Sequence, residues 1–125
     1  MRDIEELQGT WRVTALQFDG RTVDPATFPG ARIVISGRRF ESLGMGATYE
    51  GDITIDESSS PKRFSLFFTS GPEKGNTNFG IYELAGPTWT FCLNTHGKER
   101  PGEFATRDGS GNALQVLTRE RAPRS

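Results

Sequence analysis

The chain has 125 residues, a length typical of one domain with a single hydrophobic core. Its formal net charge is -1, from 15 Lys and Arg against 16 Asp and Glu, and the basic residues form no run that would attract nucleic acid. The sequence has 1 cysteine, Cys92, which excludes an internal disulfide and a zinc site of several cysteines. We therefore expect one domain over residues 1–125, no nucleic-acid partner, and no metal or cofactor.

Charged residues follow Met1 directly, in the stretch RDIEE, and no secretion signal is visible. No apolar run approaches the roughly 18 residues that a membrane-spanning helix needs. These features, together with the single cysteine, lead us to expect a cytoplasmic protein without a membrane partner.

The first predicted element is a short helical turn over residues 2–9, RDIEELQG. Asp3 is suited to cap the amino end of this turn, with Glu6 three residues later. Gly9 can end it, because glycine readily adopts a positive φ. We expect the turn to cover one end of the strands that follow.

The remainder of the chain predicts β-structure. Glycines and prolines, 15 and 7 in number, interrupt short runs of β-branched and aromatic residues, and no apolar period of 3.6 residues persists beyond the first few residues. The eight predicted strands cover residues 10–18, 32–36, 39–43, 48–56, 63–69, 77–85, 88–95 and 113–120.

Gly-containing turns after Ser36, Gly44 and Ala85 predict that successive strands are antiparallel neighbours. The period of two along each strand then places most large apolar side chains on one face. This predicted inner face comprises Trp11, Val13, Ile33, Ile35, Phe40, Ser42, Tyr49, Ile53, Ile55, Phe64, Leu66, Phe68, Tyr82, Leu84, Trp89, Phe91, Leu93, Leu114 and Val116. A meander with one apolar face hides its edges by closing, so we predict an eight-stranded antiparallel up-and-down barrel.

Residues near the two ends of the chain are predicted to close the barrel at its base. Gly9 allows a tight entry into the first strand, and Trp11 is the next inward residue. The tail TRERAPRS returns Arg119 or Arg121 to the same end, where a guanidinium can lie over the indole.

Several motifs carry a resemblance to a known family. The sequence GTW at residues 9–11, the preceding helical turn and the arginine after the last strand resemble the lipocalin or calycin architecture. The fragments LQGTW, FDG, GIYEL, ERPGEF and VLTRER, in that order, resemble a family of small bacterial lipocalin-like domains found in planctomycetes and acidobacteria. This resemblance implies an all-β lipocalin-like barrel with a short N-terminal helical turn, and it implies no catalytic residues.

A ligand-binding cavity is the predicted functional site. The loop 19–30 contains Asp24 and Pro25, a suitable start for a second helical turn ending near Phe28, and it resembles a lid over the open end. The cavity and mouth residues we predict are Phe28, Ser42, Tyr49, Phe68, Tyr82, Trp89 and Phe91. A small, partly apolar or amphipathic ligand would suit them. The many aromatic residues of the inner face, however, favour a barrel that is mostly filled by its own side chains, with Phe28 filling its end.

The single histidine, the single cysteine and the carboxylates are the remaining candidates for ligation or catalysis. His96 follows the seventh predicted strand in NTHGKERP and could ligate haem, but a lone histidine on such a loop favours a solvated turn residue. Cys92 is predicted to be an outward-facing and inert thiol. No set of residues forms a catalytic constellation, so we do not expect an enzyme.

Two further interpretations concern the outside of the barrel. In ERPGEF, Arg100 before Pro101 favours a structural clasp in which Arg100 pairs with a carboxylate, and an anion-binding rim formed with His96 and Lys98 is the alternative. The outward apolar residues of the predicted strands could form a patch for a homodimer or another protein partner, as a non-enzymatic interaction module. This predicted patch consists of Val34, Phe67, Phe79 and Ile81.

Overall fold

Strands dominate the computed structural model, which describes residues 3–97 and 99–120. A helix of four residues, α1 (Asp3–Glu6), precedes them, and a short 3-10 turn (Pro25–Thr27) follows the second strand. The described strands are β1 (Gly9–Phe18), β2 (Arg21–Val23), β3 (Arg32–Ser36), β4 (Arg39–Leu43), β5 (Tyr49–Asp56), β6 (Lys62–Ser70), β7 (Thr77–Ala85), β8 (Thr88–Asn94) and β9 (Asn112–Arg119).

The strands form one antiparallel sheet that closes on itself. Each strand from β3 to β9 pairs with the next along the chain, and β1 pairs with both β3 and β9. The closed eight-stranded barrel therefore consists of β1 and β3 to β9, which confirms the predicted fold. The short strand β2 was not predicted, and it extends the sheet beside the second half of β1.

Most of the predicted inner face is confirmed, because directly paired residues of neighbouring strands point to the same side of a sheet. One buried cluster contains the two tryptophans, the rings of Phe40, Phe64 and Phe91, and the side chains of Ile33, Ile35 and Ile53. Val13, Tyr49, Ile55 and Leu84 pack against it while half-buried.

The last strand corrects the prediction for Leu114 and Val116. Trp89 pairs with Leu117, and Phe91 pairs with Gln115, so the odd-numbered residues of β9 face the interior. Leu114 and Val116 consequently lie at outward positions. The error arose because a long connection, residues 95–111, joins β8 to β9, and no tight turn fixes the register there.

A register shift in β1 also changes which residues face inward. Val13 pairs with Leu117 and Ala15 pairs with Val116, so the extra residue between them reverses the alternation. Leu16 and Phe18 therefore reach the interior beyond the bulge, whereas a strict alternation from Trp11 would have placed them outside.

One end of the barrel, which we call the base, is closed by α1 and by Trp11. Leu7 and Trp11 are fully buried, and the Trp11 Nε1 atom donates a hydrogen bond to the Leu7 carbonyl oxygen at 2.8 Å. The ring of Trp89 packs edge-on against Trp11, with centroids 5.6 Å apart. Gly9 adopts a φ of 116°, which confirms the tight entry into β1.

The Arg119 guanidinium completes the base as predicted. Its Cζ atom lies 4.3 Å from the centroid of the Trp11 ring, and its Nη1 atom donates to the Gln8 carbonyl oxygen at 2.9 Å. Its Nη2 atom donates to the Glu6 carbonyl oxygen, so the guanidinium caps the carboxyl end of α1. Arg121, the alternative partner for the indole, lies outside the described residues.

The residues 99–107, which we call the strap, cross the outside of the barrel. Arg100 Nη1 donates to the carbonyl oxygens of Phe64 at 2.7 Å and of Gly80 at 2.6 Å. Farther along, the Thr106 hydroxyl lies 3.4 Å from Gln17 Oε1 on β1. The clasp interpretation is therefore confirmed, although Arg100 binds backbone carbonyls where we expected a carboxylate partner.

The strap also corrects the predicted outer apolar patch. Ile81 is 2% exposed, and the Arg100 guanidinium lies 5.3 Å from the centroid of the Phe79 ring. Cys92 occupies an outward position but is fully buried, and its thiol donates to the Ala105 carbonyl oxygen of the strap at 3.4 Å. Of the four residues in the predicted patch, Phe67 is the one that is exposed.

Candidate ligand-binding cavity

A cavity of about 470 Å³ occupies the end of the barrel opposite the base, which we call the mouth. Its apolar wall is provided mainly by Leu16, Ile33, Phe40, Leu66, Phe68 and Phe91. The volume falls within the range of about 300 to 1,000 Å³ that is typical of small-molecule sites. The barrel is therefore not filled by its own side chains.

Aromatic rings from three neighbouring strands form one side of the cavity. Phe68 on β6 contacts Phe40 on β4 and Tyr49 on β5 in edge-on arrangements, with centroid distances of 5.3 and 6.0 Å. Edge-on pairs hold rings in defined orientations, so this wall is built before any ligand arrives.

The loop between β2 and β3 forms part of the rim, as predicted for a lid. The Asp24 carboxylate accepts a hydrogen bond from the Ala26 amide at 2.9 Å, and Pro25 begins the 3-10 turn. The Phe28 amide donates to the Pro25 carbonyl oxygen at 3.0 Å, which closes the turn, and the Phe28 side chain lines the cavity. Val23 on β2 lines the cavity beside it.

The lining includes several neutral polar side chains from different strands. Ser42, Tyr49, Asn78, Thr95 and Gln115 all contribute to it. The Thr95 hydroxyl donates to the Gly111 carbonyl oxygen at 2.7 Å and so has a partner within the protein. A few polar groups within an apolar wall are typical of sites that orient a small amphipathic molecule.

Asn78 differs from the other polar residues of the lining. It is 5% exposed, and its pairing with the inward residue Leu66 directs the side chain into the barrel. Among the described residues, no donor reaches its Oδ1 atom. A buried polar atom without a partner costs about 1 to 3 kcal/mol, which makes this residue unusual in a folded protein.

Five of the seven predicted cavity residues line the cavity: Phe28, Ser42, Tyr49, Phe68 and Phe91. Tyr82 and Trp89 are fully buried near the base and lie outside the cavity lining. The alternation of side chains along each strand placed both residues correctly on the inner face. It gave no information about their position along the barrel axis. Tyr82 is oriented by a polar cluster at the base, and Trp89 packs against Trp11.

That polar cluster centres on Asp3, whose carboxylate does not serve the predicted capping role. Its Oδ2 atom accepts hydrogen bonds from the Tyr82 hydroxyl and from Lys62 Nζ, both at 2.8 Å. Burial alone would raise the pKa of Asp3, but the hydrogen bonds from Lys62 and Tyr82 outweigh it and leave the pKa below its usual value. Burial and the Asp3 hydrogen bond raise the pKa of Tyr82, which therefore stays protonated.

Several cavity residues were absent from the sequence prediction. Leu16 and Phe18 were missed because of the bulge in β1, and Gln115 was missed because the register of β9 was misassigned. Asn78 lies on the inward alternation of β7, two residues before Gly80 and four before Tyr82. The sequence could have indicated this residue, because a polar side chain at an inward position of an apolar strand face favours a functional role.

Other chemical candidates lie away from the cavity. His96 is exposed and packs against Gly111 outside the cavity lining, which does not support haem ligation within the barrel. Burial raises the pKa of the Cys92 thiol, as expected for an inert residue. The predicted anion-binding rim is not supported at Arg100, because its guanidinium donates to the Phe64 carbonyl oxygen. Lys98, another residue of that rim, lies outside the described residues.

Within residues 3–97 and 99–120, no group of three or more His, Cys, Asp or Glu side chains is arranged to hold a metal ion. Over the same residues, the helical segments are too short to span a lipid bilayer. No protein-family model, curated protein or solved structure matches this chain. The predicted membership of a lipocalin-like family therefore stays a prediction, and any function must be argued from the cavity itself.

Proposed function

We propose that this protein is a non-enzymatic binding protein that holds a small, partly apolar molecule in the mouth of the barrel. The observation that carries the proposal is the cavity of about 470 Å³, with an apolar wall and a buried asparagine in its lining. Transfer of apolar ligand surface out of water favours binding by about 25 cal/mol per Å² before the costs of association.

The alternative, a homodimer or partner surface on the outer wall, has less support. The strap contacts Phe79 through Arg100, and Ile81 is buried, so the remaining exposed apolar side chain of the predicted patch is Phe67. A single exposed phenylalanine is ordinary on a protein surface. Size measurement over a range of protein concentrations would reveal self-association if it occurs.

The proposal can be tested with a fluorescent, neutral apolar probe such as N-phenylnaphthylamine. We expect saturable binding with one probe molecule per chain. Ser42→Trp places an indole in the cavity, and we expect it to weaken binding at least about tenfold by occupying the ligand volume. Native mass spectrometry of protein purified from its own host would report the mass of any natural ligand and the number of subunits at once.

Glu41→Trp provides a matched control on the same strand. Glu41 pairs with Val34 and Glu50 at outward positions, so the same large side chain points away from the cavity. We expect this variant to bind the probe as the original protein does. Equal binding by the Ser42→Trp and Glu41→Trp variants, or no saturable binding by the original protein, would contradict the proposed function.

A further inference from the structure

We propose that the cavity selects an uncharged amphipathic molecule whose head group donates a hydrogen bond, such as an alcohol or a primary amide, and that Asn78 recognises this head group. The inference rests on the proposed function and specifies the chemical class of the ligand. Its basis is the placement of one buried, unpaired amide among apolar side chains.

The position of Asn78 makes it a recognition group. It projects from β7 opposite Leu66 on β6, and both residues line the cavity. The described residues provide no donor for its Oδ1 atom. A ligand that donates to this atom therefore breaks no hydrogen bond within the protein, and the new bond contributes fully to the free energy of binding. The Oδ1 atom itself is enclosed by protein, and rotation of the amide about χ2 exchanges it with Nδ2 and turns the carbonyl oxygen toward the cavity.

The charge of the lining argues against an anionic head group. Glu73 is the charged residue that the described part of the chain contributes to the lining, and no described Lys, Arg or His joins it. An ionised carboxylate accepts hydrogen bonds but donates none, so it cannot pair with Asn78 Oδ1. It would also lose hydration without gaining an opposite charge.

The remaining walls fit an alkyl or other apolar body. Phe40, Phe68, Phe91 and Leu93 lie on strands next to or across from Asn78 and present hydrocarbon surface to the same space. A molecule with an apolar body and one uncharged polar end would satisfy both the apolar wall and the amide. Purely apolar molecules would leave the amide unpaired.

Competition for the bound N-phenylnaphthylamine probe tests this selectivity with three compounds that each contain an unbranched ten-carbon chain. Decanol donates and accepts hydrogen bonds, decyl methyl ether only accepts them, and decanoate is an anionic acceptor. We expect decanol to bind about tenfold more tightly than the ether, and decanoate to bind more weakly than either. Equal binding of decanol and the ether, or tightest binding of decanoate, would overturn the inference and leave the proposed function intact.

Asn78→Leu identifies the recognising residue, because leucine has a similar volume and no polar group. We expect the variant to bind decanol and the ether with equal affinity, so that the tenfold ratio falls to about one. Asn76→Leu is the matched control, since Asn76 is exposed and outside the lining; its side-chain hydrogen bond to Glu73 Oε1, at 3.4 Å, does not involve Asn78, so the variant should keep the ratio. A ratio that persists in Asn78→Leu would refute the role of Asn78, and the comparison in the original protein tests the inference even if this variant does not fold.

Discussion

The base and the mouth of the barrel are built from the same strands, but the inward side chains of the base pack against one another, whereas those of the mouth line a cavity. At the base, Trp11 Nε1, the Arg119 guanidinium and the Asp3 carboxylate have hydrogen-bond partners. The buried Trp89 Nε1, by contrast, has none among the described residues and is enclosed by packed rings. At the mouth, Asn78 faces a cavity and its Oδ1 atom has no partner among the described residues.

The difference originates in the size of the inward side chains. Near the base, the inward positions of β1 and β8 carry Trp11 and Trp89, which are among the largest fully buried side chains. Near the mouth, the inward positions of β4 and β9 include the small residues Ser42 and Ala113, which leave space. An eight-stranded barrel is just wide enough for side chains to fill or to hold one small ligand, so this distribution separates a stabilising end from a binding end.

Trp11→Ala is the most severe test of that separation. We expect it to lower the free energy of unfolding by about 3 to 5 kcal/mol, because it leaves a large cavity among Leu7, Trp89 and Arg119. Urea unfolding followed by circular dichroism would measure the change.

Trp11→Phe is the companion variant if the alanine variant does not fold. It keeps most of the packing but removes the donor to the Leu7 carbonyl oxygen, and we expect a smaller loss. Because the cavity lies at the other end, the variant should still bind the apolar probe. Weakened binding with intact folding would show that base and mouth are not separate.

Arg119→Met removes the guanidinium from the base but preserves a long apolar side chain. We expect a loss of about 2 kcal/mol, from the contact with the Trp11 ring and from the carbonyl oxygens of Gln8 and Glu6. Arg12→Met is a matched control, since Arg12 is an exposed neighbour of Trp11, and its effect should stay within about 0.5 kcal/mol. Equal effects of the two changes would argue that Arg119 does not close the base.

Asp3→Asn tests the charge of the base, and its effect should depend on pH. The pKa of Asp3 is lowered in the folded protein, so the stabilisation is present above the unfolded value of about 3.9 and is lost as pH falls through the folded pKa. We expect a loss of about 1 to 2 kcal/mol near neutral pH, reduced from the value for a buried pair because Lys62 is partly exposed.

Urea unfolding of the original protein and the Asp3→Asn variant at several pH values would measure this dependence. The two proteins should approach each other in stability at acid pH. Asp52→Asn is the control, because the Arg39–Asp52 pair is about half exposed and should contribute little at any pH. A stability difference for Asp3→Asn that does not change with pH would contradict the role of its ionised carboxylate.

The sequence was sufficient to predict the barrel and its base because the signals there are local. Gly9, Trp11 and Arg119 lie next to strand ends, and two-residue turns such as that between Ser36 and Arg39 fix the register of neighbouring strands. Alternation then extends reliably from one strand to the next.

The cavity was harder to predict because its residues depend on non-local register. The bulge after Val13 reverses the alternation in β1, and the long connection before β9 leaves Gln115 and Leu114 equally plausible as inward residues. Tyr82 and Trp89 show a second limit. Alternation gives the side of the sheet but not the distance from the mouth, which depends on the stagger of all eight strands.

Asn78→Leu gives the smallest expected effect on stability, and it should have the opposite sign from the changes at the base. Replacing a buried amide that lacks a full set of partners with a hydrocarbon of similar volume should raise the free energy of unfolding of the ligand-free protein by about 1 kcal/mol. Urea unfolding compared with Asn76→Leu, an exposed asparagine in the preceding loop, would isolate the effect of burial. If Asn78→Leu instead destabilises the protein as Arg119→Met does, the amide is fully satisfied without a ligand. A group that binds a ligand must keep a hydrogen-bonding atom that the free protein does not use. A fully satisfied amide would therefore mean that Asn78 stabilises the mouth, as the side chains of the base stabilise the base.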